Sequence, residues 1–171
     1  MPITRRFKNA LRQEKDYRLL PVRIEREPAE DDPVTGDELG RIDLKFNPAE
    51  SAREEVYFAF ECKRLYALVS GVVRALASEY VSEGMMRFVE GRYGSRMQNG
   101  GMIGYVLDGT SERARHQVAA AVASAAAKLL LSPGTGLDTS ELRPANADIR
   151  LTSHVGPRAG GFWLHHVFLV R

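Results

Sequence analysis

A mixed α/β fold, a central β-sheet flanked by helices, is what this sequence of 171 residues predicts. Three observations carry that expectation. Apolar and polar residues alternate along 22–27, 41–46 and 56–65, as in strands, and two longer stretches follow the 3.6-residue period of helices. The segments succeed one another as α-β-β-β-α-β-α-β-β, the order of a mixed sheet with helices on its faces.

The elements follow in turn. Residues 4–17 are polar and basic, with Phe7, Ala10 and Leu11 at helical spacing, and predict a short opening helix. From Val22, alternation sets Val22 and Ile24 against Arg23, Glu25 and Glu27, the pattern of a half-buried strand. Residues 28–40 (PAEDDPVTGDELG) mix Pro, Gly and acids without period, as a surface loop does. Residues 41–46 form the second strand, with Ile42, Leu44 and Phe46 inward and Arg41, Asp43 and Lys45 outward. A loop over 47–55 leads to the strongest strand, 56–65, with Phe58, Phe60 and Cys62 on one face and Tyr57, Ala59, Glu61 and Lys63 on the other.

Apolar residues at 69, 72, 73, 76 and 80 predict a helix over 69–80 that bends or restarts near Gly84 and runs to Arg92. Residues 100–107 (GGMIGYVL) read as a buried strand ended by the Asp108-Gly109 turn. Ser111 caps a helix reaching Leu131 through Ala114, Val118, Ala121, Val122, Ala125 and Leu129, which Pro133-Gly134 stop. After a Pro/Gly-rich connector at 132–147, residues 148–155 and 162–171 make a hairpin with a longer loop. Its second strand is apolar on both faces and is therefore central or covered by a helix.

Length and composition indicate one domain spanning 1–171. No run of eighteen apolar residues and no secretory leader is visible, so a cytoplasmic protein without membrane contact is expected. The single cysteine, Cys62, excludes an internal disulfide and a cysteine-rich zinc site, leaving carboxylates and histidines as metal ligands. A formal net charge of +2 permits a nucleic-acid partner without requiring one.

Strand parity assembles the candidate chemistry. Glu61 and Lys63 share a face, and Asp43 stands on the corresponding face of the strand before. If those strands pair in register, opposite Cβ atoms approach within about 5.5 Å, close enough for two carboxylates to hold one Mg²⁺ (or Mn²⁺). The backbone carbonyl of Cys62 would lie between them. Such a cation polarises a phosphoryl oxygen and yields hydroxide near neutral pH, and Lys63 would set an ammonium beside the attacking water or the scissile phosphate. The plainer alternative is a charged sheet face in which these groups pair with Arg41, Lys45 or Arg64 in solvent.

Other residues carry two readings each. Cys62 fits a small core residue better than a nucleophile, with no histidine near it in sequence. His154, His165 and His166 suggest a zinc site or, more simply, hydrogen-bonded structural rings. Tyr80, Arg87 and Arg92 are phosphate contacts or ordinary helix residues. Arg5, Arg6, Lys8 and Arg12, with Arg64, are either a grip on a phosphate backbone or solvated charge.

Gly40-Arg-Ile-Asp43 followed by Phe60-Glu-Cys-Lys-Arg64, within an α-β-β-β-α-β frame over about residues 4–110, resembles the PD-(D/E)XK (restriction-endonuclease-like) nuclease superfamily. The two segments are similar to the GRxD and ECKR segments of small bacterial members, many of them linked to defence against foreign DNA. The resemblance implies a restriction-endonuclease-like core extended by a C-terminal helix and β-hairpin. It also implies Mg²⁺-dependent hydrolysis of DNA phosphodiesters through Asp43, Glu61 and Lys63, in defence or repair, by a chain that works as a homodimer or with a partner protein. Ile42 stands where the family's proline would be, which leaves the carboxylate intact. The family's further acidic ligand has three candidates, Glu14, Glu25 and Glu27. The alternative is a subunit of the same fold that binds nucleic acid or protein without cleaving.

Overall fold

The computed structural model describes residues 3–32, 34–50, 56–156 and 160–170. Parts of the loops expected at 47–55 and between the last two strands, residues 51–55 and 157–159, lie outside the described residues.

In chain order the elements are α1 (Ile3–Arg18), β1 (Val22–Arg26), β2 (Ala29–Asp31), β3 (Glu38–Arg41), β4 (Leu44–Pro48), β5 (Phe58–Leu65), β6 (Ala67–Val69) and β7 (Val72–Arg74). One unbroken helical rod follows, made of α2 (Ala77–Tyr80), a π-helical turn (Val81–Met85) and α3 (Met86–Val89). Then come β8 (Asn99–Val106), α4 (Ser111–Ser124), β9 (Asp138–Thr139), β10 (Ile149–His154) and β11 (Phe162–Val170). The fold is α/β. Its central seven-stranded sheet has the order β1-β4-β5-β8-β11-β10-β9, with β5, β8 and β11 parallel and the other neighbours antiparallel.

Both faces of the sheet are covered, which is why β5, β8 and β11 carry apolar residues on both sides. On one face α1 lays Ile3, Phe7 and Leu11 over Leu44, Phe60, Ile103 and Tyr105. On the other, the rod and α4 pack Tyr80, Met85, Phe88, Val118 and Val122 against Ala59, Leu65, Met102, Leu164 and Phe168. At about 25 cal/mol per Å², fully burying each such side chain contributes on the order of 2 kcal/mol. Among the described residues, no helix is long and apolar enough to cross a membrane.

Several expectations are corrected. The loop at 28–40 contains a hairpin, β2 paired with β3, closed around Asp32, whose carboxylate accepts from the Val34 and Thr35 N–H groups. The strand expected over 41–46 is broken at Ile42 and Asp43, so Ile42 enters the helical core while Leu44 and Phe46 face α1. The helix expected from Val69 begins at Ala77, because Ser70 and Gly71 turn the chain back and pair β6 with β7. That helix ends at Val89 rather than Arg92. Thr110, not Ser111, caps α4, its hydroxyl accepting from the Arg113 N–H, and regular helix stops at Ser124 rather than Leu131. The connector at 132–147 contributes the edge strand β9. β11 lies between β8 and β10, as its two apolar faces require.

Candidate active site

β5 positions the site. Its odd-numbered residues face the helical rod, so Glu61 and Lys63 point toward α3, and Glu61 is only 4% exposed. The face that carries Glu61 and Lys63 is thus covered rather than open to solvent, and β5 lies inside the sheet between β4 and β8. The β4–β5 register, Leu44 opposite Phe60, carries Asp43 to the position opposite Glu61, one step past the last paired residue. There the strand has bent away, freeing the Asp43 carboxylate to turn into the gap. Its Oδ2 accepts from the Cys62 N–H at 2.7 Å. Because a residue in a strand sends its N–H and C=O to the same side, the Cys62 carbonyl leaves β5 toward Asp43 as well.

The cations converge on Glu61. Lys63 Nζ lies 2.9 Å from Glu61 Oε1, and Arg87 Nε lies 3.5 Å from the same oxygen. Arg87 is held from two sides, its Nε donating to the Glu83 carbonyl at 2.9 Å and its Nη1 to the Tyr93 hydroxyl at 2.7 Å. Tyr93 in turn donates to the Arg41 carbonyl at 2.6 Å, tying the segment before Asp43 to the rod. The π-helical turn brings Gly84 over Lys63. A Cβ there would collide with the Met102 methyl and stand 3.4 Å from Lys63 Cγ, so the missing side chain makes room for the lysine stem. Such turns recur at functional sites.

Burial and mutual repulsion dominate the electrostatics. Burial first, and then the nearby Asp43 charge, push the Glu61 carboxyl up to about 7, although Lys63 and Arg87 pull the other way. Burial also raises Asp43 above the ordinary carboxylate range, against the Cys62 N–H, Lys63 and Arg87. Two carboxylates and two cations share this pocket, and the cost of desolvating the carboxylates outweighs what Lys63 and Arg87 return to them.

Of the candidates for a further acidic ligand, Glu27 is the one whose charge acts on Asp43. It sits in left-handed backbone (φ 56°), and its N–H donates to the Asp43 carbonyl at 3.2 Å. Its carboxylate pairs with Arg26. Glu14 is instead paired with Arg18 on α1, and Glu25 accepts from Asn47 Nδ2 at 3.0 Å. Among the described residues, no three His, Cys, Asp or Glu side chains cluster as a metal site. The donor set is the two carboxylates and a backbone carbonyl, a set that suits a hard cation taking its remaining ligands from water and phosphate.

The basic residues divide. Lys8 on α1 lies near Arg12, Arg26, Glu25 and Glu27, its pKa lowered by burial first and then by the two arginines. Arg5 and Arg6 are exposed on α1, and Arg64 is exposed on the face of β5 opposite Glu61. Arg92 pairs with Glu90. Tyr80 is fully buried, its hydroxyl meeting His166 Nδ1, and is therefore out of a phosphate's reach. Cys62 fits a packed core thiol, since burial pushes it well above the ordinary range and Tyr105 donates to its sulfur at 3.7 Å.

The histidines form no zinc site. His165 faces the other side of β11, bonded to Asn99 at 3.0 Å. His154 and His166 belong to a buried chain in which Tyr80 Oη meets His166 Nδ1 at 2.9 Å, His166 Nε2 meets Thr152 Oγ1 at 3.0 Å, and Thr152 Oγ1 meets His154 Nε2 at 2.7 Å. His154 Nδ1 ends the chain on the Leu129 carbonyl at 2.7 Å. Sequence reasoning missed Tyr93 and its hold on Arg87. The available signal was Gly91 and Gly94, both with positive φ, which end the rod and turn the tyrosine between them back onto it.

No family model, curated protein or solved structure matches the chain.

Proposed function

We propose that this protein is a metal-dependent nuclease with a restriction-endonuclease-like core, hydrolysing phosphodiester bonds of DNA with Mg²⁺ or Mn²⁺. The observation that carries the reading is the meeting of partly buried Asp43 with buried Glu61, where desolvation first and then repulsion lift Glu61 to about 7 even with Lys63 at 2.9 Å. A site that desolvates two neighbouring carboxylates favours a divalent cation between them, which would be held by Asp43, Glu61 and the Cys62 carbonyl. When bound, the cation supplies Lewis-acid polarisation of the phosphate and a water of lowered pKa.

The protein's own groups do the rest. Glu61 would hold the cation as a carboxylate, so it must lose its proton before the site can work. Lys63, pinned over Gly84, holds its ammonium where charge develops on the phosphate, and Arg87 keeps Glu61 oriented. The basic residues of α1, Arg5, Arg6 and Lys8, together with Arg64 provide salt-sensitive, sequence-independent attraction for the backbone. The segments Gly40–Asp43 and Phe60–Arg64 support the family reading in detail, and a role in defence or repair is its extension.

Incubation with linear, circular and single-stranded DNA and with RNA, in Mg²⁺, Mn²⁺ or EDTA, tests the proposal. Cleavage should require the cation and fall about 10³-fold or more in Glu61→Ala and in Lys63→Ala, a loss of the size expected for removing charge stabilisation at a reacting phosphate. Cleavage that persists in EDTA or in both variants sinks it. Tight binding without cleavage on any substrate would instead indicate a non-catalytic binding subunit.

A further inference from the structure

Just beyond Lys63 the chain leaves the sheet as the β6–β7 hairpin. Its two-residue turn places Ser70 (φ 51°) and Gly71 (φ 79°) both in left-handed backbone, the conformation that closes a tight ribbon. The root is anchored. Tyr66 is buried, its N–H donates to the Ala75 carbonyl at 3.2 Å, and its hydroxyl reaches the Arg113 carbonyl at 3.5 Å.

The tip is bare. Leu68 is 68% exposed, Val72 63% and Val73 44%. Leu68 and Val73 pair across the ribbon and share one face, while Val72, next to Val73, points to the other. A ribbon apolar on one face can dock on a single surface. One that is apolar on both faces is desolvated only by insertion between two surfaces.

Three arginines ring the root. Arg64 is exposed near the end of β5, and Arg74 is exposed opposite Ala67 with Glu79 3.6 Å away. Arg113 is exposed on the first turn of α4, its guanidinium 5.0 Å from the Tyr66 ring. An apolar tip with a cationic collar complements a polyanion whose interior is apolar, namely bases stacked between two phosphate backbones.

We propose that the β6–β7 hairpin is a wedge that inserts Leu68, Val72 and Val73 into a base step of duplex DNA, with Arg64, Arg74 and Arg113 on the flanking phosphates. This assignment rests on the nuclease reading of the Asp43–Glu61 site. Continuity of the chain favours DNA over an anionic membrane or a second copy of the protein. Leu68 is five residues from Lys63, at most about 17 Å of extended strand. That reach corresponds to about five base pairs at ~3.4 Å each. A duplex with a phosphate at Glu61 therefore carries the unstacked step close by. Substrates already weakened by a mismatch or a nick, for which unstacking costs less, are preferred.

The test uses short duplexes carrying 2-aminopurine at successive positions, with Ca²⁺ replacing Mg²⁺ so that strands stay intact. Wild type should raise fluorescence several-fold at one or two adjacent positions, and Leu68→Ser/Val72→Ser/Val73→Ser should leave it flat while keeping the wild-type melting profile. Mismatched duplexes should bind wild type roughly ten-fold tighter than matched ones, and the triple variant should lose that preference. Replacing Arg64, Arg74 and Arg113 by Gln should weaken binding to all duplexes and reduce its salt dependence. Flat fluorescence with wild type, or unstacking by the triple variant, overturns the wedge. So does loss in that variant of binding to phosphatidylglycerol vesicles, or of a dimer seen by light scattering, with DNA behaviour unchanged. Unstacking by a wild type that never cleaves in Mg²⁺ would keep the wedge and overturn the hydrolytic reading alone.

Discussion

Two buried polar regions lie on the helical side of the same sheet, and they are built on opposite principles. The chain Tyr80–His166–Thr152–His154 is closed by hydrogen bonds. With neutral rings, the Leu129 carbonyl at one end can only accept, so His154 Nδ1 carries a proton, Thr152 donates to His154 Nε2, His166 Nε2 donates to Thr152, and Tyr80 donates to His166 Nδ1. Burial holds His166 down at about 3, so it stays neutral throughout the physiological range. The Asp43–Glu61–Lys63 cluster instead holds carboxyls that burial keeps reluctant to ionise even beside Lys63 and Arg87. Burial that ends in complete pairing marks structure, and burial that leaves carboxyls with strongly shifted proton affinity marks a place kept for something else.

The largest effect should come from breaking the closed region. Thr152→Val removes one hydroxyl but takes a partner from two ring nitrogens, His166 Nε2 and His154 Nε2. At about 2 kcal/mol for each buried group so deprived, the loss is about 4 kcal/mol. Urea unfolding measures it. A loss under about 1 kcal/mol would mean that the chain contributes little and that the contrast with the acidic site is wrong.

The open region should respond in the opposite direction. Glu61 binds its proton more tightly folded, about 7, than its ordinary 4.5. As pH rises from below 4.5 through 7, the unfolded chain releases that proton first, so the folded state loses stability across this window. A shift of that size corresponds to about 3 kcal/mol at most. Glu61→Gln carries no such penalty and should become more stable than wild type by up to that amount at pH 8, with the difference vanishing near pH 4. Saturating Mg²⁺ should return the stability to wild type, by about 2.7 kcal/mol at a hundred times its Kd, and do nothing for the variant. Melting curves with and without the cation across pH 4 to 8 decide this. A wild type equally stable at both ends would remove the argument for a cation.

The same contrast explains what the sequence disclosed. Strand parity put Glu61 and Lys63 together and Cys62 opposite, because alternation survives in β5 whatever covers it. Parity failed at Ile42 and Leu44, since it assumes an unbroken strand and the chain bends at Asp43. That bend is also what lets the carboxylate reach the Cys62 N–H, so the error fell on the feature that makes the site. Val69, Val72, Val73 and Leu76 fit a helical period as well as a ribbon, and only the Ser70-Gly71 pair between them distinguishes the two. The histidine chain was legible only as three histidines near one another, because which of them meet depends on pairing between β10 and β11.

The smallest effect tests whether the two regions are insulated from each other along the rod that joins them. Tyr80, at the end of the rod's first turn, belongs to the closed region, and Arg87 farther along the rod reaches Glu61 in the open one. If Tyr93 holds Arg87 in place, Tyr93→Phe removes the acceptor of Arg87 Nη1 and the donor to the Arg41 carbonyl, at about 1 kcal/mol of stability. Arg87 would then lean less on Glu61, and because that charge favours the carboxylate, the Glu61 pKa should move up from about 7 by a fraction of a unit. The acid limb of the pH–cleavage profile should follow it upward. Tyr80→Phe, which leaves Arg87 its own hydrogen bonds to Glu83 and Tyr93, should destabilise the protein without moving that limb. A limb displaced by both variants would mean that the rod transmits strain from one region to the other, and the separation between a structural and a chemical use of burial would not hold here.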